Sequence, residues 1–266
     1  MLRPALAFLL VVVASAAPPA TAQTSAQTTP PAIRTFDLAT LERLGEAIFR
    51  HDVAAARASD AVLGQKLDPA KEKLVGWLVN DAGDAWRVRF LRDRGSGPEA
   101  AYDVDVPARG EPRVITPGDR ALSSEDLARF RAQRTAAAGV RRVCRPRYNT
   151  VVLKDPDEDG WLVWLLAPSP TSGVVPMGGH YRATVSADGR KLERLDALSN
   201  SCLVIDPRQG LPKGAQPVGL MGSHVVSNTP VETHVFLHHL YRMPVYLMTG
   251  EQMWKIEKGR IAKLRR

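Results

Sequence analysis

Short runs in which apolar and polar residues alternate, separated by turn residues, recur through this chain. They commit much of it to antiparallel sheets. Trp86, Val88 and Phe90 alternate with Arg87 and Arg89, and Tyr102, Val104 and Val106 alternate with Asp103 and Asp105. A period of two marks strands with one buried face. The segments His180–Val185 and Arg190–Leu195 are joined only by Ser186-Ala187-Asp188-Gly189. A parallel pair needs a crossover of a dozen or more residues, whereas Asp-Gly is a hairpin signal.

Around these runs the chain predicts further strands at Val75–Asn80, Val151–Lys154, Trp161–Ala167, Val231–Leu240, Val245–Thr249, Met253–Glu257 and Arg260–Leu264. All five tryptophans, Trp77, Trp86, Trp161, Trp164 and Trp254, fall in these strands, where sheet packing is their first role. Pro107–Asp119 and Asp206–Val218 read as loops. A helix is expected from about Phe36, capped by Thr35 or Asp37, with Leu38, Leu41, Leu44 and Ile48 at helical spacing. Ala54–Val62 either continues it or begins another. A second helix opens at Ser123, carries Leu127 and Phe130, and stops near Gly139.

The expected class is therefore α+β, with antiparallel meander sheets and one or two covering helices. Gly76-Trp77-Leu78-Val79 repeats as Gly160-Trp161-Leu162-Val163, which suggests a loose duplication of a cystatin-like or PepSY-like unit. The expected segments are an N-terminal α+β half over 35–120 and a C-terminal one over 121–266.

The N-terminus sets the compartment. Arg3 precedes an apolar stretch from Ala5 to Ala17, and small-residue cleavage sites follow, ending at Ala22. This is the pattern of a secretory signal peptide over 1–22. The run is shorter than the roughly 20 apolar residues of a spanning helix, and no later stretch approaches that length, so no transmembrane segment is expected after cleavage. Removing 22 of 266 residues leaves 244, and the loss of Arg3 takes the net charge from +8 to +7. Residues 23–34 read as a flexible exit segment. The expected location is periplasmic or secreted.

Export gives the two cysteines a meaning. Cys144 and Cys202 would pair in an oxidising compartment. The alternative is a catalytic thiol at Cys202, activated by His180. Ser199-Asn200-Ser201-Cys202 lies 22 residues after His180 and resembles the Ser-x-Gly-Cys of the L,D-transpeptidases of bacterial walls. Ser201 stands in place of the Gly, and Gly178 and Gly179 precede His180 instead of following it. That resemblance implies a cell-wall or peptide-modifying cysteine enzyme.

Asp155, Asp157 and Asp159, ending in Gly160, reproduce the opening of a calcium loop, but the twelfth position is Leu166 where a bidentate Glu would stand. A hairpin turn is the plainer reading. His234 and His238 on a strand would lie about 13 Å apart, too far for one zinc ion, although His180 or His224 could meet His234 by sheet pairing. No nucleophile elbow, Walker loop or dinucleotide fingerprint occurs, and no cofactor is expected.

Arg129, Arg131, Arg134, Arg141, Arg142, Arg145 and Arg147 form a basic run with no acidic residue between Asp126 and Asp155. It would suit an anionic envelope polymer or lipid headgroup. Aromatic residues are only 6% and do not interleave with it, which argues against nucleic acid. A second candidate face bears His180, Arg182 and His234.

The blocks Gly178–Ile205 and Glu232–Ile261 resemble an uncharacterised family of secreted proteobacterial proteins, over much of the C-terminal half. The resemblance implies no activity. The expected function is an exported, non-catalytic binding or interaction protein of the envelope, with the cysteine enzyme and a metal-binding periplasmic protein as alternatives.

Overall fold

The computed structural model describes residues 32–65, 70–140 and 144–265. The expected leader over 1–22, the exit segment as far as residue 31, and Arg141 and Arg142 lie outside the described residues.

The first helix, α1 (Leu38–Gly64), starts where the Asp37 carboxylate accepts the Thr40 N–H at 2.7 Å. It runs unbroken through Ala54–Val62. An antiparallel meander follows: β1 (Leu74–Asp81), β2 (Ala85–Asp93), β3 (Pro98–Pro107) and β4 (Arg113–Ile115), in that spatial order. The last is a short strand within the expected loop. Helix α2 (Ser124–Gly139) is capped by the Ser123 hydroxyl, which accepts the Asp126 N–H at 3.0 Å.

A second meander is built from β5 (Asn149–Lys154), β6 (Gly160–Leu166), β8 (Tyr181–Ser186) and β9 (Leu192–Ala197). Between them lies β7 (Val175–Pro176), which pairs with β10 (Val204–Ile205) as a small ribbon. Then come β11 (Leu220–Ser223), helix α3 (Glu232–Tyr241), β12 (Val245–Thr249), β13 (Gln252–Glu257) and β14 (Arg260–Lys263). The last sheet has the order β11-β12-β13-β14, with β11 parallel to β12.

The chain is thus an α+β fold of mainly antiparallel sheets. The repeated tetrapeptide occupies the first strand of one meander and the second strand of the other, so it does not mark equivalent positions.

Four apolar clusters explain the layering. The β5–β6–β8–β9 sheet is covered on both faces. Ala128, Ala132 and Ala136 of α2 meet Val163, Leu165, Ala183 and Val185 on one side. On the other, Leu162, Trp164 and Leu166 meet Leu41, Leu44 and Ile48 of α1, the α3 side chains, and Leu247 and Ile256. Strand β6 is buried at every position, as a strand enclosed on both faces must be. The far half of α1, through Ala54, Ala58 and Val62, packs on Val79, Val88 and Val104 of the first meander. Phe130 of α2 reaches Leu78 and Leu91 on that sheet's other face. Both long helices therefore pack across the expected boundary between residues 120 and 121.

Two expectations fail here. Residues 231–241 are helical, not extended. Glu232 to His238 are all buried, so no polar stripe betrays the helical period, and the β-branched and aromatic residues bias a local reading toward strand. Tertiary packing overrides that bias. The exit segment also ends earlier than residue 34, because Ile33 is part of a core and Arg34 is held by ion pairs.

Candidate functional site

The cysteine expected as an alternative nucleophile is bonded: Cys144 and Cys202 form a disulfide whose Cα atoms are 5.5 Å apart. The proposed base is occupied as well. His180 is buried; its Nδ1 accepts the Ala167 N–H at 3.0 Å and its Nε2 donates to the Pro176 carbonyl at 2.7 Å. Burial pushes its pKa down to about 4, so the ring is neutral and pins backbone. In this structure the Cys202 thiol is consumed and both imidazole nitrogens of His180 are spent, so neither is placed to act as nucleophile or base.

Arg182 is also internal. Trp164, Arg182 and Asp196 sit side by side on β6, β8 and β9, and Glu232 in the first turn of α3 closes over them. Arg182 Nη1 donates to both Glu232 carboxylate oxygens, at 2.9 and 3.0 Å, and Nη2 donates to Asp196 at 2.9 Å. Trp164 Nε1 donates to Glu232 at 2.7 Å, and the Arg34 carbonyl accepts from Arg182. The guanidinium lies 4.9 Å from the Phe36 ring centre. Arg194 adds a second cation on Asp196 at 2.6 Å, so two guanidinium groups face two carboxylates, and only Arg182 Nε is left without a partner. The cluster is a structural tie among the N-terminal segment, the sheet and α3. The face expected to bind through His180, Arg182 and His234 is buried in the core and offers none of them to a ligand.

The acidic turn between β5 and β6 carries its own cation. Arg34 donates to Asp155 through both Nη atoms, at 2.5 and 2.8 Å, and to Asp157 at 3.0 Å. Asp159 faces Lys154 at 3.5 Å. Burial would raise the Asp155 carboxyl, but the Arg34 hydrogen bonds hold it below the ordinary carboxylate range. A guanidinium thus takes the place that calcium would need.

The histidines cluster only in part. Because 231–241 is helical, His234 turns back to accept the Val231 N–H at 3.1 Å, and its ring meets His224 edge-on at 4.8 Å. His238 instead donates to the Met243 carbonyl. Burial lowers the pKa of His224 to about 4 and holds that of His234 well below its ordinary value, with His224 and His180 adding to the latter. Among the described residues, no group of three or more His, Cys, Asp or Glu side chains could hold a metal ion.

The basic run is divided. Arg129 is spent inside, donating to Asn80 and to the Val79 carbonyl. Arg131 and Arg145 are half-buried, and Arg134 and Arg147 are exposed. Arg141 and Arg142 lie outside the described residues, so of the five that are described only Arg129 is spent in the interior.

Another surface stands out, and it was not foreseen. Six of the eight exposed large apolar side chains among the described residues lie between 203 and 225: Leu203, Val204, Leu211, Val218, Met221 and Val225. Val218, Met221 and Val225 are 88%, 67% and 69% exposed. They flank β11, the edge of its sheet. A Cβ on Gly222 would touch the end of the Met177 side chain at 3.8 Å, one residue beyond β7. The available signal was an uncharged stretch, since Gly214–Val231 contains no Asp, Glu, Lys or Arg.

No protein-family model, curated protein or solved structure matches the chain. Among the described residues, no helix is long and apolar enough to cross a membrane.

Proposed function

We propose that this is an exported, disulfide-bonded, non-catalytic protein of the cell envelope, periplasmic or secreted, that acts by binding another macromolecule. The observation that carries the reading is the concentration of exposed apolar side chains at 203–225. Leaving such groups in water costs roughly 25 cal/mol per Å² that a partner could cover, and clustered exposure of this kind marks contact surfaces. The disulfide supports export, because cytosolic thiols are kept reduced. The engagement of Cys202, His180, Arg182 and the Asp155 turn supports a role without chemistry.

The test is photo-crosslinking in the exporting cell, with a photoreactive residue at Val204 or Leu211 and controls at Arg134 and Arg147. Macromolecular adducts from the first pair only are expected. Absence of adducts at Val204 and Leu211, or retention of the chain in the cytoplasm, refutes the reading.

A further inference from the structure

We propose that strand β11 is the contact through which two copies of this chain associate, pairing antiparallel about a two-fold axis at Gly222. This rests on the reading of 203–225 as a contact surface and names the occupant of its strand portion.

The backbone supplies the first argument. Leu220 N–H donates to the Pro244 carbonyl and His224 N–H to the Met248 carbonyl, 2.8 Å each. Parallel pairing with β12 therefore uses the even positions. The intervening Met221 and Ser223 turn their N–H and C=O groups outward, and among the described residues no strand pairs with that side. Sheet edges left open in this way are templates for another strand, and natural proteins blunt them with charge, proline or a cover.

The open side of β11 is limited by its length, four residues, but carries neither charge nor proline. Pro217 and Pro230 lie outside the strand, and Gly214–Val231 has no charged side chain. His224 is the one titratable group in the stretch; it is buried, faces His234 and bonds Ser227 at 2.8 Å.

The charge pattern selects a second copy as occupant. A two-fold contact sets each residue against the same surface of its twin, so a charged patch would oppose itself. Charged residues make up 24% of the chain, so a run of 18 residues without one is a feature of this stretch. The β11 stretch is a place where that opposition vanishes.

Geometry is equally permissive. With the axis at Gly222, Met221 lies opposite Ser223 of the second copy, and the reverse. Each such pair exchanges two N–H···O=C bonds, so four close the interface. The Gly222 pair at the centre is the closely spaced kind, with Cα atoms about 4.5 Å apart. The contact is isologous and closes at two copies, which avoids open-ended growth.

The experiment is sedimentation velocity on the exported chain from 1 to about 100 µM, a range that spans weak to moderate dimer affinities. Three variants accompany it: Met221→Lys, Ser223→Pro, and the control Leu63→Lys at a distant exposed site. Each is first checked for an unchanged melting temperature. A doubled mass for wild type and Leu63→Lys, falling to a single mass for Met221→Lys, is the expected result. Ser223→Pro removes only an outward N–H and repeats the test if the lysine variant melts early. A dimer that survives both edge variants overturns the inference. So does a wild-type monomer throughout the range. In that case, adducts from Val204 or Leu211 leave the binding function standing without self-association, and their absence rejects both.

Discussion

Replacing Arg182 with Met keeps the length of the side chain and removes its charge. The consequence follows from what surrounds it. Glu232 is 0% exposed and Asp196 is 4% exposed, and Arg182 bridges the two carboxylates directly. Without it, Glu232 keeps only the Trp164 indole N–H at 2.7 Å as a side-chain donor, while Asp196 keeps Arg194 at 2.6 Å and the Arg34 N–H at 3.2 Å. Glu232 would then be buried without a cation, and Asp196 would keep Arg194 as its only cation. Breaking a buried pair in this way costs about 3–5 kcal/mol. For a chain of this size, each kcal/mol lowers the melting temperature by roughly 2–4 °C, so a fall on the order of 10 °C is expected. The assay is urea and thermal unfolding followed by far-UV circular dichroism and by tryptophan fluorescence. The triple variant Arg182→Met, Glu232→Gln, Asp196→Asn removes all three charges together, and it should lose less than Arg182→Met alone. A single variant within about 1 kcal/mol of wild type, or a triple variant worse than the single, would refute the description of this cluster as a buried, mutually neutralising network.

Other perturbations follow from the same contacts. Reducing the Cys144–Cys202 bond, or replacing both residues with Ser, releases a 58-residue closure and should lower stability by about 4 kcal/mol on the chain-entropy relation; comparison of oxidised and reduced melts measures it. Gly45→Ala would gain up to about 1 kcal/mol of helix propensity. Its Cβ, however, would lie 2.7 Å from the Glu232 carbonyl and overlap Val235, where α1 crosses α3. A net loss of about 1–3 kcal/mol is expected in urea titrations, and a gain would show that the two helices can separate. Acid should destabilise the fold through its buried and half-buried neutral histidines. His51 and His180 each have a pKa lowered by burial from 6.5 to about 4. Their contribution is complete above about pH 6.5 and is lost as pH falls toward 4, because the unfolded chain takes up the proton first. His180 alone accounts for about 2 kcal/mol at pH 5. Asp52, raised by burial to about 6, works in the opposite sense between pH 6 and 3.8 and softens the fall. Equal urea midpoints at pH 7.5 and pH 5 would contradict these burials.

Much of the fold was legible in the residues. The alternation at Trp86–Phe90 and Tyr102–Val106, the Asp188-Gly189 turn, and the caps at Asp37 and Ser123 are local signals, and each element formed where they stood. The Cys144–Cys202 bond was legible from residue type together with the expectation of export. The hairpin register even places Arg182 opposite Asp196. Their third partner was hidden, because Glu232 lies in a segment whose side chains are buried on all sides and whose helical period is therefore silent. The same concealment made His234 look like a strand residue, open to ligand, when it caps a helix.

The sequence by itself determined the antiparallel α+β class and the two long helices, since these depend on periodicity and on residues a few positions apart, and it offered a single pair of cysteines for the staple. Only the tertiary structure decided that Arg34 fills the acidic turn, that Arg182 is enclosed, and that the uncharged stretch around Met221 lies at an open sheet edge. These are relations among segments up to 162 residues apart, as between Arg34 and Asp196. Whether a charge is free or spent depends on which distant group arrives beside it when the layers close.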